Sequence, residues 1–216
     1  MILGNLGYTE YFWEKQKRVL LSSYINLGLV ICNVLVFLVE LFAYDYMDSM
    51  FAMNSYYVAN GQNLYTIVTS MFMHMDEAHI LNNMLILLFV GANVEYDIGH
   101  IEYLVLYFLS GILANIGSVM NDIHDGTYTI SLGASGAVFG VVGAVIVIVL
   151  FGRQNLRPGS TLVSRLGVMV MLSLYSSFKS PEVNNAAHLG GLICGVIITY
   201  LITIIFHKNY TMEEWV

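Results

Sequence analysis

Long apolar stretches constrain this chain more than any other feature of its sequence. Hydrophobic residues make up 57% of the 216 positions and charged residues only 11%, whereas an ordinary soluble domain carries about 25% charged residues. A helix that crosses a bilayer needs roughly 20 mainly apolar residues. The sequence therefore predicts a polytopic membrane protein with no room for a large soluble domain.

Six apolar runs are candidates for membrane-spanning helices. They are residues 20–43, 79–94, 103–120, 131–151, 161–176 and 186–206. Backbone groups in lipid must bond within their own segment, and both prolines, Pro158 and Pro181, fall between runs. The predicted fold class is therefore all-α: a six-helix transmembrane bundle over residues 20–206, with a short N-terminal segment, 1–19, and a short tail, 207–216.

The segment that joins the first two runs, residues 45–66, is rich in Met, Tyr, Phe and Asn and lacks Lys and Arg. It is too polar to span a membrane and too apolar for a free loop. We expect a structured loop in the interface, with its aromatic rings at headgroup level. Residues 1–19 are expected to be interfacial, and the first apolar run begins too late and is too long for a cleavable signal peptide.

Lysine and arginine set the expected orientation. With the N-terminus inside, seven of the eight basic residues fall on the inner side and only Lys179 on the outer side. The inner residues are Lys15, Lys17, Arg18, Arg153, Arg157, Arg165 and Lys208. The positive-inside rule therefore predicts a multi-pass cell-membrane protein with a cytoplasmic N-terminus. This orientation puts Ser135, His188 and His79 near the outer ends of their helices.

Ser135 sits at the mouth of the fourth run, beside Gly133 and Gly136, so no bulky neighbour shields its hydroxyl. His188 opens the last run at a matching depth. Both runs carry glycine stripes that let helices approach closely: Gly136, Gly140 and Gly143 on one, Gly191 and Gly195 on the other. Packing alone explains the glycines but not a serine and a histidine at the same level.

If the stripes press the two helices together, Ser135 and His188 form the nucleophile-and-base arrangement of acyl transfer. A lone membrane histidine can also be a core residue or part of a proton relay, and spacing does not decide between these roles. Phe139 lies one turn below Ser135 on the same face. Its ring could orient the imidazole or simply contact lipid or core.

His79 and Asn83 share one helix face. Their ring and amide N–H groups suit an oxyanion hole, and an interhelical hydrogen-bond pair explains them equally well. His74 and His79 have no third clear ligand and no H-E-x-x-H motif is present, so we expect no metal. Cys32 and Cys194 are interpreted as small core residues and not as a disulfide.

These motifs together resemble those of the rhomboid family of intramembrane serine proteases. The matching motifs are Gly133-Ala134-Ser135-Gly136, His188-Leu189-Gly190-Gly191 with Gly195, His74/His79/Asn83, and Gly91/Glu95/Gly99. Four motifs in the family's order, over roughly residues 20–206, are far more specific than any one of them. The chain differs from many members at Tyr65-Thr66, where Trp-Arg is frequent, and at Phe139, where Tyr is frequent.

The resemblance implies a Ser-His dyad, with Ser135 as nucleophile and His188 as general base. It implies that His79, Asn83 and the backbone N–H of Ser135 form the oxyanion hole, and that His74 has a structural role. The supporting residues would be His74, Gly133, Gly136 and Phe139. The implied substrates are single-pass transmembrane proteins cut near the outer membrane face, at small residues, without a cofactor and without nucleic acid. The fifth helix and residues 177–185 would form a gate and cap.

Two other classes of function remain open from the residues. A transporter or channel could use His74, His79 and His188 as a proton or metal path, but it leaves the serine motif unexplained. An inactive relative could bind membrane helices without cutting them, although Ser135 and His188 are both intact.

Overall fold

Long apolar helices dominate the computed structural model, which describes residues 8–152 and 184–210. Within these residues, five helices are long and apolar enough to cross a membrane: Tyr24–Phe51, Glu77–Ile98, His100–Asp125, Ser135–Gly152 and Asn185–Ile205. The predicted helical membrane bundle is thereby confirmed. The predicted fifth span, 161–176, and most of the loops beside it lie outside the described residues, so the count of six stays a prediction.

The described elements follow one another in a simple order. They are α1 (Tyr8–Ser22), α2 (Tyr24–Phe51), β1 (Met53–Asn54), α3 (Ser55–Ala59), α4 (Thr66–Thr69), a 3-10 turn (Ser70–Phe72), α5 (Glu77–Ile86), a π turn (Leu87–Gly91), α6 (Ala92–Ile98), α7 (His100–Asp125), β2 (Ile130–Ser131), α8 (Ser135–Gly152) and α9 (Asn185–Ile205). The helices α5 and α6 join through the π turn into one continuous span. The site end of the bundle is defined here as the end where α5, α8 and α9 begin, and the far end as the opposite one.

Local chemistry sets where these helices end. Asp76 caps α5 by accepting the N–H of His79 at 2.7 Å, so the helix begins at Glu77, before the predicted start. Gly126, in the left-handed region, ends α7. The predicted boundary of the first span at Ala43 is instead a kink, with φ −142° and ψ 37°, and the helix continues to Phe51.

Glycine contacts hold α8 against α9, as the sequence predicts. A Cβ added at Gly195 would lie only 2.6 Å from the Cα of Gly140, and one added at Gly143 would lie 2.9 Å from the N of Val196. On its other side α8 packs against α7, where a Cβ at Gly136 would meet the Cβ of Ala114 at 2.8 Å. The fourth run is therefore the central helix, buried along most of its length.

At the far end, a buried polar cluster fastens the start of α2 to α6. The Glu95 carboxylate accepts the N–H groups of Ile25 and Asn26, at 3.1 and 2.6 Å, and lies 2.5 Å from His100 Nδ1. Asn26 accepts the Tyr103 hydroxyl at 2.7 Å. This far-end cluster caps the first turn of α2 with a carboxylate, which the helix dipole favours.

The segment after α2 folds over the site end. β1 pairs antiparallel with β2, with Met53 opposite Ser131. The hydroxyl of Tyr65 donates to the carbonyl of Met50 at 2.9 Å. Residues 52–72 thus form a structured loop, as expected, although the helix takes up residues 45–51, and the depth of this loop in a membrane stays a prediction.

Candidate active site

Ser135 is the first residue of α8, and the residues before it are held in place by backbone hydrogen bonds. Gly133 has φ +128°, a conformation that favours glycine, and donates its N–H to the carbonyl of Ser70 at 2.9 Å. Ala134 is fully buried and accepts the N–H of Val138 at 2.9 Å. The hydroxyl of Ser135 therefore sits, partly exposed, at a fixed point at the site end.

His188 reaches Ser135 from the first turn of α9. The Asn184 side chain caps this helix by accepting the N–H of Ala187 at 3.0 Å. His188 Nε2 lies 2.7 Å from Ser135 Oγ, a hydrogen-bond distance. Both residues are half-buried. The structure thus brings the two predicted residues together.

The ring of Phe139 stacks on the imidazole of His188, with centroids 4.4 Å apart and planes inclined by 19°. Phe139 is itself buried and stands one helical turn after Ser135. A stacked ring limits rotation of the imidazole about its Cβ–Cγ bond. The contact therefore holds Nε2 toward Ser135.

His79 reaches the same region from α5, and Asn83 stands one turn later on the same helix. A Cβ added at Gly133 would lie 2.7 Å from Cε1 and 2.8 Å from Nε2 of His79, and 3.7 Å from Ser135 Oγ. His79 and the serine hydroxyl therefore border the same space, which only a glycine at position 133 leaves open. The Asn83 amide nitrogen is buried and has no hydrogen-bond partner among the described residues.

His74 is buried behind His79, and their rings meet edge to face with centroids 5.1 Å apart. Its backbone N–H donates to the carboxylate of Glu40, at 3.1 and 3.2 Å to the two oxygens. Burial, and to a smaller extent the nearby His79, lowers the pKa of His74 to about 3. The ring is therefore neutral near pH 7, and neither of its nitrogens has a hydrogen-bond partner in the described part of the chain.

Sequence reasoning missed Glu40 and Asn184 as parts of the site region. Glu40 was visible only as a polar exception in the first apolar run, and Asn184 as a polar residue before the last one. Their contacts join elements far apart along the chain, which spacing cannot reveal. Across 8–152 and 184–210 no group of three His, Cys, Asp or Glu side chains could hold a metal ion, and Cys32 and Cys194 are free.

The fold is that of a multi-pass helical membrane protein. A rhomboid domain model matches residues 61–204, two thirds of the chain. A protein of Bacillus subtilis (strain 168) named "Putative rhomboid protease YdcA" is 33% identical over 67% of this chain and 69% of its own length. Rhomboid protease AarA of Providencia stuartii is 28% identical over 85% of this chain and 74% of its own length. RHOMBOID-like protein 5 of Arabidopsis thaliana is 25% identical over 69% of this chain and 48% of its own length.

The chain therefore belongs to the rhomboid family. Its general activity is that of an intramembrane serine peptidase. The match spans about half the length of the Arabidopsis relative.

Proposed function

We propose that this chain is an intramembrane serine endopeptidase that cuts single-pass transmembrane proteins with a Ser-His dyad. The observation that carries the proposal is the 2.7 Å separation of His188 Nε2 from Ser135 Oγ. Ser135 attacks the scissile carbonyl while neutral His188 takes its proton. His188 then returns that proton to the leaving amine, and water hydrolyses the acyl-enzyme.

The tetrahedral intermediate carries negative charge on the former carbonyl oxygen. We assign its stabilisation to His79, to the Asn83 amide and to the N–H of Ser135, which belongs to a first helical turn where N–H groups lack helix partners. The unpartnered amide of Asn83 supports this role, since a buried donor without a partner is costly unless a ligand accepts from it.

The supporting residues shape this space. Gly133 admits the ring of His79 next to Ser135, and Gly136 brings the α8 backbone close to α7 and α9. Phe139 holds the imidazole of His188 by stacking. His74 packs edge to face against His79 and limits its movement.

The substrate and the place of cleavage follow from the expected orientation. With the basic residues inside, Ser135 and His188 lie near the outer membrane face, where water can enter. A helix that unwinds easily near that face would expose its peptide bond to Ser135. Small residues at the cut are favoured because the space beside Gly133 is narrow. The partners are thus transmembrane protein substrates and the bilayer of a cell membrane.

A fluorophosphonate probe tests the proposal directly. The purified protein in detergent should be labelled once per chain and should cleave a reconstituted single-pass substrate. Ser135→Ala should lose both activities and keep its thermal midpoint. Cleavage that persists in Ser135→Ala would refute the proposal, and a protein that is neither labelled nor able to cleave any membrane substrate would favour an inactive, helix-binding relative.

A further inference from the structure

Asn184 stands immediately before α9 and acts on the turn that carries His188. Its Oδ1 accepts the N–H of Ala187 at 3.0 Å, and its backbone carbonyl accepts the N–H of His188 at 3.1 Å. These contacts use only the acceptor atoms of Asn184. They fix the first turn of α9 but do not relate it to any other element.

The amide nitrogen of Asn184 makes a different set of contacts. Nδ2 donates to Ser131 Oγ at 2.8 Å and also to Ser118 Oγ. Ser118 is buried on α7, and Ser131 is the last residue of β2, four residues before Ser135. One side chain therefore joins the helix of the base to the segment of the nucleophile and to a buried residue of a third helix.

The glycine contact between α8 and α9 leaves a need for such a link. Glycines bring the two backbones close together, but they present no side chains that interlock. A close, smooth contact sets the separation of two helices better than it sets their rotation or sliding. A displacement of about 1 Å between reacting groups can cost roughly 100-fold in rate.

We propose that Asn184 is a positioning residue that fixes the angle at which His188 meets Ser135, by tying the start of α9 to the segment before Ser135. The inference rests on the dyad of the proposed function. Asn184 touches neither substrate nor reacting atoms; it acts through Ser131 and the first turn of α9.

Substitutions can separate this role from simple helix capping, because the two roles use different atoms. Serine caps helices about as well as asparagine, but its hydroxyl is too short to reach Ser131 and Ser118. Asn184→Ser should therefore keep the cap and lose the link. Asn184→Asp should restore the link, since a carboxylate can accept from serine hydroxyls, which rotate to donate.

The experiment uses the full chain in detergent and measures kcat, KM, fluorophosphonate labelling rate and thermal midpoint. Asn184→Ser should lower kcat and labelling rate together by about tenfold or more, with KM and midpoint nearly unchanged. Asn184→Asp should recover most of the rate. Asn121→Ser, at an exposed asparagine of α7, is the matched control and should behave as wild type.

A double-mutant cycle completes the test. The pair Ser118→Ala and Ser131→Ala removes both acceptors, and adding Asn184→Ser to it should cost little more, because linked residues are not additive. Wild-type kcat in Asn184→Ser beside an inactive Ser135→Ala would overturn the positioning role alone. Cleavage that survives Ser135→Ala would overturn the proposed function and this inference with it.

Discussion

The two ends of the bundle both hold buried polar side chains, but they treat them differently. In the far-end cluster, Glu95 accepts two backbone N–H groups and pairs with His100, and Asn26 donates to the carbonyl of Leu87 at 2.9 Å. At the site end, the amide nitrogen of Asn83 is without a partner among the described residues. Buried polar groups in membranes are costly, so the satisfied cluster points to stability, whereas the unpartnered donor of Asn83, one turn after His79, can serve a ligand.

The largest effect should come from breaking the dyad at the site end. Ser135→Ala and His188→Ala should each reduce cleavage to background, because in the proposed mechanism both groups take part in the same proton transfer. The double mutant should be little worse than either single one, since residues that act as a unit are not additive. Cleavage rates in proteoliposomes measure this, and near-normal proteolysis by either single mutant would remove the assignment.

The next largest effect is expected for Asn83→Ala, at the site end. Losing one donor to the oxyanion typically costs about 10²–10³ in kcat, while a lost interhelical hydrogen bond in lipid costs only about 0.6 kcal/mol. We expect low kcat, little change in KM and a nearly unchanged thermal midpoint. Asn93→Ala, at a buried asparagine of α6 that bonds only its own helix, is the control. A lower midpoint with wild-type kcat would assign Asn83 to the fold.

The far end should respond in the opposite way. Glu95→Ala leaves the N–H groups of Ile25 and Asn26 without their acceptor, at a cost of about 1–3 kcal/mol for each buried group left unsatisfied. We expect a lower thermal midpoint and normal kcat in the protein that stays folded. Reduced kcat at an unchanged midpoint would mean that the far-end cluster serves the reaction, and the contrast between the ends would fail.

The last prediction concerns pH and His74. Its pKa is lowered to about 3, so below about pH 6.5 the unfolded chain binds a proton that the folded chain does not. Stability should therefore fall as pH falls from 6.5 toward 3, by at most about 1.4 kcal/mol per pH unit. Asp76 and His79 also act on this ring, and Glu40 accepts the backbone N–H of the same residue. His74→Leu should show a shallower fall in thermal midpoint, and an identical slope would contradict this origin.

The parts of the fold and of the site that could be predicted are those whose contacts leave a pattern in the sequence. The approach of α8 to α9 could be inferred, because glycine stripes such as Gly136 to Gly143 are visible in the sequence and small residues have one clear use in lipid. The contact between Glu40 and His74 could not be inferred, because it depends on the path of a loop. Helix ends were misplaced by a few residues where a cap such as Asp76 sets them.

The π turn at 87–91 sets the helical phase of the whole second span. Its wider turn holds one extra residue. At about 100° per residue, a regular helix would place Asn83 and Glu95 about 120° apart around the axis, whereas discounting the extra residue brings them within about 20°. Deleting one residue from this turn would give a regular helix and would keep Asn83 and Glu95 within about 20° of each other. Straightening the turn without a deletion would instead rotate Asn83 by about 100° relative to the cluster that anchors the other half, so the π turn sets the relative orientation of the two ends.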